Sequence, residues 1–388
     1  MKTVKKINPL PFPVYFWTVV TIAMAGLADA VYLAISHFRV YTDMGYKSFC
    51  AVSKSINCDT VSQSSFSILL NIPVPIWGIV GYLFFLLLLY PAGKESSNKS
   101  LLWPTLFVIA LAFSIYSIIL AIISVVFVHS YCIMCMVSHA ANFMLMFFTW
   151  LIHKRFANIS IVTGIYKDIQ WIRGHKKGSG IFLGGTAGMI LLLMLFTPHY
   201  WEMPAFPLGQ ELSRGTTEDG HPWIGAMNPK LVISEFTDYQ CFQCKKMHFF
   251  LREFMAGYPE TIRLIHRNFP MDHTYNPMVK EPYHIGSGKM SLLSLYAIKH
   301  DKFWEISDFL FNMDTQKGHF NIREMAKAAG FDVIEFARSV NDRTLQQKLR
   351  ADIREGIRLG ITGTPAYLID GKVYVGHIPA DIINEVME

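Results

Sequence analysis

From Ser100 to His153 the chain carries no Lys, Arg, Asp or Glu. Such a run is too long for a single membrane crossing, because about 20 helical residues span the hydrocarbon core. It must turn once. The polar patch His129-Ser130-Tyr131 is the place for that turn, dividing a helix over residues 103–128 from one over 131–152. Two spans are expected before it. Residues 14–37 are apolar apart from Asp29, and residues 74–90 follow Pro73 and Pro75, where proline suits a first helical turn. A fifth span is expected over residues 181–198. The first span is too long for the apolar region of a signal peptide and has no small-residue cleavage site after it, so it is expected to be retained.

Charge agrees with this division. Charged residues are 16% of the 388, against roughly 25% in soluble domains. The deficit is local: residues 1–200 hold 14 basic and 5 acidic side chains, residues 201–388 hold 21 and 24. The first half has a membrane composition and the second a soluble one. A hydrophobic content of 52% with 6 Cys excludes a disordered chain and a disulfide-dense miniprotein. The excess positive charge lies beside apolar spans rather than on a folded basic face, so a lipid bilayer and not a nucleic acid is the expected partner.

Basic residues near the span ends set the expected orientation. Lys2, Lys5 and Lys6, then Lys94 and Lys99, then Lys154, Arg155, Lys167, Arg173, Lys176 and Lys177 fall in alternate connections, while the other side has only Arg39, Lys47 and Lys54. The N-terminus is therefore expected in the cytoplasm, with residues from 201 onward outside. Val162, Ile165, Ile169 and Ile172 recur at helical spacing beside Lys167 and Arg173, which predicts a short helix on the inner membrane surface. Residues 201–229 are rich in Pro and Gly and read as a linker, and a flexible tether of about 25 residues reaches roughly 25 to 30 Å.

Every cysteine falls on the outer side of this topology: Cys50 and Cys58 in the first outer loop, Cys132 and Cys135 at the head of the fourth span, Cys241 and Cys244 in the soluble part. An oxidising compartment permits disulfides. A C-x2-C pair closes too small a loop to be a useful staple but is suited to thiol exchange, and zinc binding by two such pairs is the competing use. Before Cys241 the apolar strand 231–236 runs into a cysteine that opens a helix. Aligned N–H dipoles there stabilise a thiolate, which makes Cys241 the attacking or attacked sulfur and Cys244 the resolving one. Downstream, Gly363-Thr364-Pro365 precedes a hairpin that turns at Asp370-Gly371.

This order of strand, C-x2-C, helix and later Gly-Thr-Pro resembles the thioredoxin fold, and most nearly the DsbA-like thiol oxidoreductases, with residues 273–349 as the inserted helical region. The resemblance implies a cis-proline at Thr364-Pro365 facing the cysteine pair and substrate. The dipeptide Phe242-Gln243 departs from the Pro- or His-containing dipeptides of strong oxidants. In the membrane half, Gly26, Tyr32, Cys50, the segment Cys58-Asp-Thr-Val-Ser-Gln-Ser-Ser-Phe66 and Tyr131-Cys-Ile-Met-Cys135 resemble the vitamin K epoxide reductase family over about residues 14–153. Bacterial members of that family are commonly fused to a thioredoxin-like domain and pass electrons to a quinone. Carried over, Cys135 sits nearest the quinone, Cys132 exchanges with Cys58, Cys50 meets the outside partner, and Ser62, Ser64 and Phe66 belong to a loop helix capping the quinone pocket. Pro73-Val74-Pro75 stands where some relatives place a quinone-binding Asn.

His139 follows Cys135 by four residues and so shares its helix face. It is expected to meet a quinone oxygen, with a helix-packing hydrogen bond as the alternative. Asp29 is expected to have a structural partner within the bundle. The fold class expected is an all-α membrane helix bundle, a four-helix core plus a fifth span, followed by an α/β thioredoxin-fold domain with a helical insertion. Its divisions are a quinone-binding membrane domain at 1–155, an interfacial segment and fifth helix at 156–200, the linker at 201–229 and the thioredoxin-fold domain at 230–388. The expected function is disulfide formation in exported proteins at a bacterial inner membrane, with ubiquinone or menaquinone as acceptor, reduced exported proteins as substrates and no metal. The competing readings are an outward-directed reductase or isomerase, and a thiolate metal or sensor module without turnover.

Overall fold

The computed structural model describes residues 10–53, 56–94, 101–157, 159–202, 212–313 and 322–387. Lys2, Lys5, Lys6, Lys54 and Lys99, on which part of the orientation argument rests, lie outside the described residues, as do residues 203–211 of the linker. The chain divides into two compact units, Met1–Trp201 and Glu202–Glu388.

The first unit is helical. Helix α1 (Phe12–Thr42) starts with Pro13 in its first turn, and a short helix α2 (Cys58–Ser62) lies in the loop that follows. A tight hairpin of β1 (Ile68–Leu69) and β2 (Ile72–Pro73) turns at Leu70 and Asn71, both at positive φ, and leads into α3 (Val74–Lys94). Helix α4 (Trp103–Ile123) extends by a π-turn to Val128 and ends at His129, whose left-handed backbone breaks the run where the polar patch predicts a turn. Helices α5 (Ile133–Ile152), α6 (Ile161–Gly174) and α7 (Lys176–Phe196) complete the unit. Among the described residues, Phe12–Thr42, Val74–Gly93, Trp103–Val128 and Ile133–Ala157 are long and apolar enough to cross a membrane, and α7 contributes the shorter apolar stretch Gly184–Phe196.

Close packing explains the glycines. A Cβ on Gly26 of α1 would lie 2.4 Å from the Tyr82 ring of α3, so only glycine lets these helices approach. The core is Val19, Ala23, Phe85, Leu89, Trp103, Leu106 and Leu145. Helix α6 forms where a surface helix is expected, and it packs on α4. Val162 and Ile169 are exposed, but Gly164 and Asp168 face α4, and the buried Asp168 carboxylate accepts the Leu102 N–H at 2.8 Å, the Thr105 N–H at 3.3 Å and the Thr105 hydroxyl at 2.7 Å. It thereby serves the otherwise unpartnered N–H groups at the start of a membrane helix.

The second unit is a six-stranded sheet in the order β3-β4-β6-β5-β7-β8, formed by β3 (Arg214–Thr216), β4 (Pro222–Gly225), β5 (Leu231–Thr237), β6 (Ile262–Asn268), β7 (Ala366–Ile369) and β8 (Lys372–Val375). Strands β5 and β6 are parallel and joined through α8 (Phe242–Gly257), a βαβ crossover, while the remaining pairs are antiparallel. Residues 212–229 differ from the linker expected there, because they carry β3 and β4, which extend the sheet from the β6 edge. The insertion holds α9 (Ser287–Ile298), α10 (Phe303–Asn312), α11 (Ile322–Ala328) and α12 (Val333–Arg338), and α13 (Arg343–Arg358) and α14 (Ala380–Met387) close the domain. The hairpin turns at Asp370 and Gly371, both at positive φ, as the Asp-Gly pair predicts.

Candidate active site

Four of the six cysteines come together at one end of the helical unit. Cys50 and Cys58 are joined as a disulfide. Both are buried, and they pack with Leu33 and Cys132, against Tyr32, Val61, Met134 and Cys135. Local chemistry holds this arrangement. The Asn57 side chain caps α2, accepting the N–H groups of Asp59 at 3.0 Å and Thr60 at 3.2 Å, so that Cys58 becomes the first residue of that helix. The Asp59 carboxylate accepts the Ser48 N–H at 3.1 Å and draws in the Cys50 strand of the loop. Cys132 occupies the N-cap of α5, its sulfur accepting the Cys135 N–H at 3.1 Å.

Cys132 and Cys135 line a cavity of about 710 Å³ between α1, α3, α4 and α5. His139, Ser62, Ser64 and Phe66 line it as well, so every residue expected to surround a quinone borders one space. Ser64 donates to the Val61 carbonyl at 2.8 Å, and the Phe66 ring meets Phe127 at 5.5 Å, which sets the loop segment against the end of α4. Val74 and Pro75 form part of the wall.

The cavity also has a polar floor, built from residues outside the cysteine motifs. Asn142 on α5 accepts the Tyr82 hydroxyl at 2.7 Å and donates to Ser117 at 2.9 Å, tying three helices together beneath the space. Ser138, another wall residue, donates to the buried Asp29 carboxylate, which gives Asp29 the bundle partner expected for it. A signal for both was present: Cys135, Ser138, His139 and Asn142 follow i, i+3, i+4, i+7 spacing and form one polar stripe on an otherwise apolar helix. At the same end of the unit, the buried His37 ring meets the Tyr200 hydroxyl at 2.8 Å and Ser67 at 3.2 Å, so the chain leaves α7 beside the cysteine loop.

In the second unit, Cys241 is the N-cap of α8 and its sulfur accepts the Cys244 N–H at 3.3 Å. The Cys241 thiol also reaches the Thr364 carbonyl at 3.4 Å, and the Thr364-Pro365 bond is cis. Cys241 is partly exposed and Cys244 buried. A hydrogen bond from the Cys244 thiol, helped by the charge of His284, outweighs burial and holds the Cys241 thiol below its ordinary value. Burial and the same hydrogen bond push Cys244 well above it. One sulfur is thus set up to attack and the other to wait protonated until a mixed disulfide forms.

Residues 17–150 match the model of the vitamin K epoxide reductase family, and residues 232–388 match the DSBA-like thioredoxin domain. Among solved structures, the chain is similar to a thioredoxin-like oxidoreductase from Silicibacter pomeroyi, 18% identical over 44% of this chain and 91% of that one with a TM-score of 0.36. It is similar to alpha-DsbA1 of Wolbachia pipientis at 19% identity, over 44% of this chain and 92% of that one, with the same TM-score of 0.36. Among curated proteins it is similar to a Na(+)/H(+) antiporter NhaA 1 of Mycolicibacterium vanbaalenii, 21% identical over 218 residues, 56% of this chain. The chain spans about a third of that antiporter's length, 34%. The two family matches account for both cysteine-bearing halves, and the first of them spans the four helices that are long and apolar enough to cross a membrane. The polypeptide thus joins a vitamin K epoxide reductase family domain to a DSBA-like thioredoxin domain.

Proposed function

We propose that this protein forms disulfide bonds in exported proteins and disposes of the electrons in a membrane quinone. Electrons run from substrate thiols to Cys241/Cys244, to Cys50/Cys58, to Cys132/Cys135. The observation that carries the reading is the packing of the Cys50–Cys58 disulfide against Cys132, beside a cavity that Cys135 also lines. The walls suit a flat lipid-soluble ring with polar oxygens: Phe113, Leu120, Val125 and Phe143 are apolar, and Ser64, His139 and Tyr82 supply polar atoms. Its volume of about 710 Å³ is that of an ordinary ligand site. A quinone held there would supply a two-electron, two-proton acceptor, matching what a dithiol loses on closing to a disulfide. Ser64, Phe66 and His139 would hold and orient it, and Cys135 is the sulfur beside it.

Each exchange conserves electrons: a thiolate attacks a disulfide sulfur, one S–S bond forms as another breaks, and the resolving thiolate releases the mixed disulfide. The distribution of basic residues and the exit of α7 beside the cysteine loop support an extracytoplasmic thioredoxin domain at a bacterial inner membrane. A tether then raises the effective concentration of one domain at the other into the millimolar range, on the order of what short linkers give. The test is stoichiometry with purified protein, a reduced dithiol peptide and a soluble ubiquinone or menaquinone analogue. One quinol should appear per peptide disulfide. Reshuffling of a scrambled peptide with no quinone consumed would assign the protein to isomerisation instead.

A further inference from the structure

The dipeptide between Cys241 and Cys244 contains no basic residue, yet the helical insertion brings one to the site. His284 stands in the loop before α9 at φ 41°, a left-handed conformation that is uncommon outside glycine but that histidine adopts more readily than most residues. Two contacts pin the loop to the residues before Cys241: the His284 Nδ1 lies 3.1 Å from the Asp238 carboxylate, and the Gln240 side chain donates to the Ile285 carbonyl at 2.7 Å. The His284 ring stacks on Tyr283 at 4.0 Å between centroids, which fixes its plane. Asp238 is itself held in place, accepting from the N–H groups of Gln240 at 2.7 Å and Met271 at 2.5 Å and from the Ser287 hydroxyl at 3.0 Å, while its own carbonyl accepts the Cys241 N–H at 3.0 Å.

We propose that His284 is the counter-charge of the Cys241 thiolate, supplied from the helical insertion in place of a basic residue between the two cysteines. Among the described residues, the titratable groups facing Cys241 include Asp238 from the loop after β5, Cys244 from α8, Tyr367 from β7, and Tyr283 and His284 from the insertion. Burial keeps both phenols above their ordinary value, hence neutral. Asp238 is an anion next to a developing thiolate and opposes it, so the imidazolium offsets a repulsion that the fold itself creates. His284 is a positioning residue: it forms no bond to substrate and acts by raising the fraction of Cys241 that is thiolate. The proposal holds whichever acceptor finally takes the electrons.

The experiment follows carbamidomethylation of Cys241 in the reduced full-length protein by site-resolved mass spectrometry, in which the thiolate forms an S–C bond and iodide leaves iodoacetamide. His284→Asn removes the charge but suits a left-handed backbone. The pH midpoint of Cys241 alkylation should rise by about one unit, so that the rate falls about tenfold at pH values below the parent's own midpoint, and His284→Lys should restore most of it. Superimposed profiles of the Asn variant and the parent would overturn the proposal, as would a Lys variant that behaves like Asn. Should the Asn variant not fold, the parent protein decides through ring C2–H exchange of His284. Coupling is reciprocal, so the midpoint for His284 must be lower with Cys241 and Cys244 oxidised than reduced. An unchanged midpoint overturns the proposal.

Discussion

The Asn57 N–H donates to the Tyr131 carbonyl at 2.9 Å, fastening the residue before Cys58 to the residue before Cys132. Two cysteines far apart in sequence are therefore presented by one backbone junction, and the Asn57 side chain stabilises it by capping α2. Asn57→Ala keeps the backbone bond and removes the cap, at a cost of about 1 kcal/mol. The expected result is a modestly lowered melting temperature and slower oxidation of the reduced loop pair by Cys132 and Cys135, with Cys241 alkylation unchanged. Asn57→Asp, an equally good cap, should recover both.

The order of the relay is tested by trapping. Cys244→Ala lacks the resolving thiolate, so the mixed disulfide formed when Cys241 attacks the loop disulfide at Cys50 and Cys58 leaves as a thiolate should persist and be visible by nonreducing peptide mapping. Cys58→Ala should stop transfer to Cys132. If that variant reduced quinone from a dithiol peptide as fast as the parent, the loop pair would not be an obligatory carrier.

Topology is tested with cysteine-free protein bearing single reporters, Lys94→Cys, Lys176→Cys or Lys302→Cys. In intact cells a membrane-impermeant maleimide should label only position 302. Labelling at 176 would place the thioredoxin domain in the cytosol, where glutathione opposes stable disulfides.

His139→Phe keeps bulk in the cavity wall and removes the polar ring nitrogens. An imidazole placed near a reacting oxygen contributes about 10² to 10⁴ in rate when it acts as an acid. Quinone reduction should slow by some part of that range while exchange among Cys241, Cys244, Cys50 and Cys58 stays normal. Unchanged turnover with a lower melting temperature would make His139 a packing residue.

Acid stability of the thioredoxin domain should depend on Asp238. Its burial alone would raise the carboxyl, but the facing His284 and the Met271 and Gln240 N–H groups hold it below its ordinary value. The folded state then stays ionised where the unfolded chain has begun to bind a proton. Its contribution is complete above about pH 4 and is lost as the pH falls below that. Melting temperatures of Asp238→Asn and the parent should therefore converge toward acid pH. Parallel curves would locate the acid sensitivity elsewhere.

Much of this architecture is legible in the sequence because its strongest signals are one-dimensional. The charge-free run places α4 and α5, and the turn at His129 follows from three adjacent polar residues. The C-x2-C pairs and Gly-Thr-Pro carry their chemistry in their spacing. Asn142 is different: its polar neighbours Tyr82 and Ser117 lie on two other helices, and only packing shows that the three side chains meet. Asp168 is read from sequence as part of a surface helix, since nothing local indicates that it caps α4. Strands β3 and β4 are hidden by the residues that form them. Gly225 is a breaker in most strands, but here at φ 113° it brings β4 so close to β6 that a Cβ would lie 2.2 Å from the Ile262 carbonyl.

The burial of the loop disulfide limits which thiols can use the membrane domain. Cys50 is 0% exposed and Cys58 2%, and a sulfur that solvent cannot reach cannot be attacked in line by a small soluble thiol. Glutathione and free cysteine are thereby kept from the Cys50–Cys58 disulfide while it is packed in this way. On the proposed relay, a partner has to displace the loop from the head of α5 before exchange, so that access selects the thiols that react.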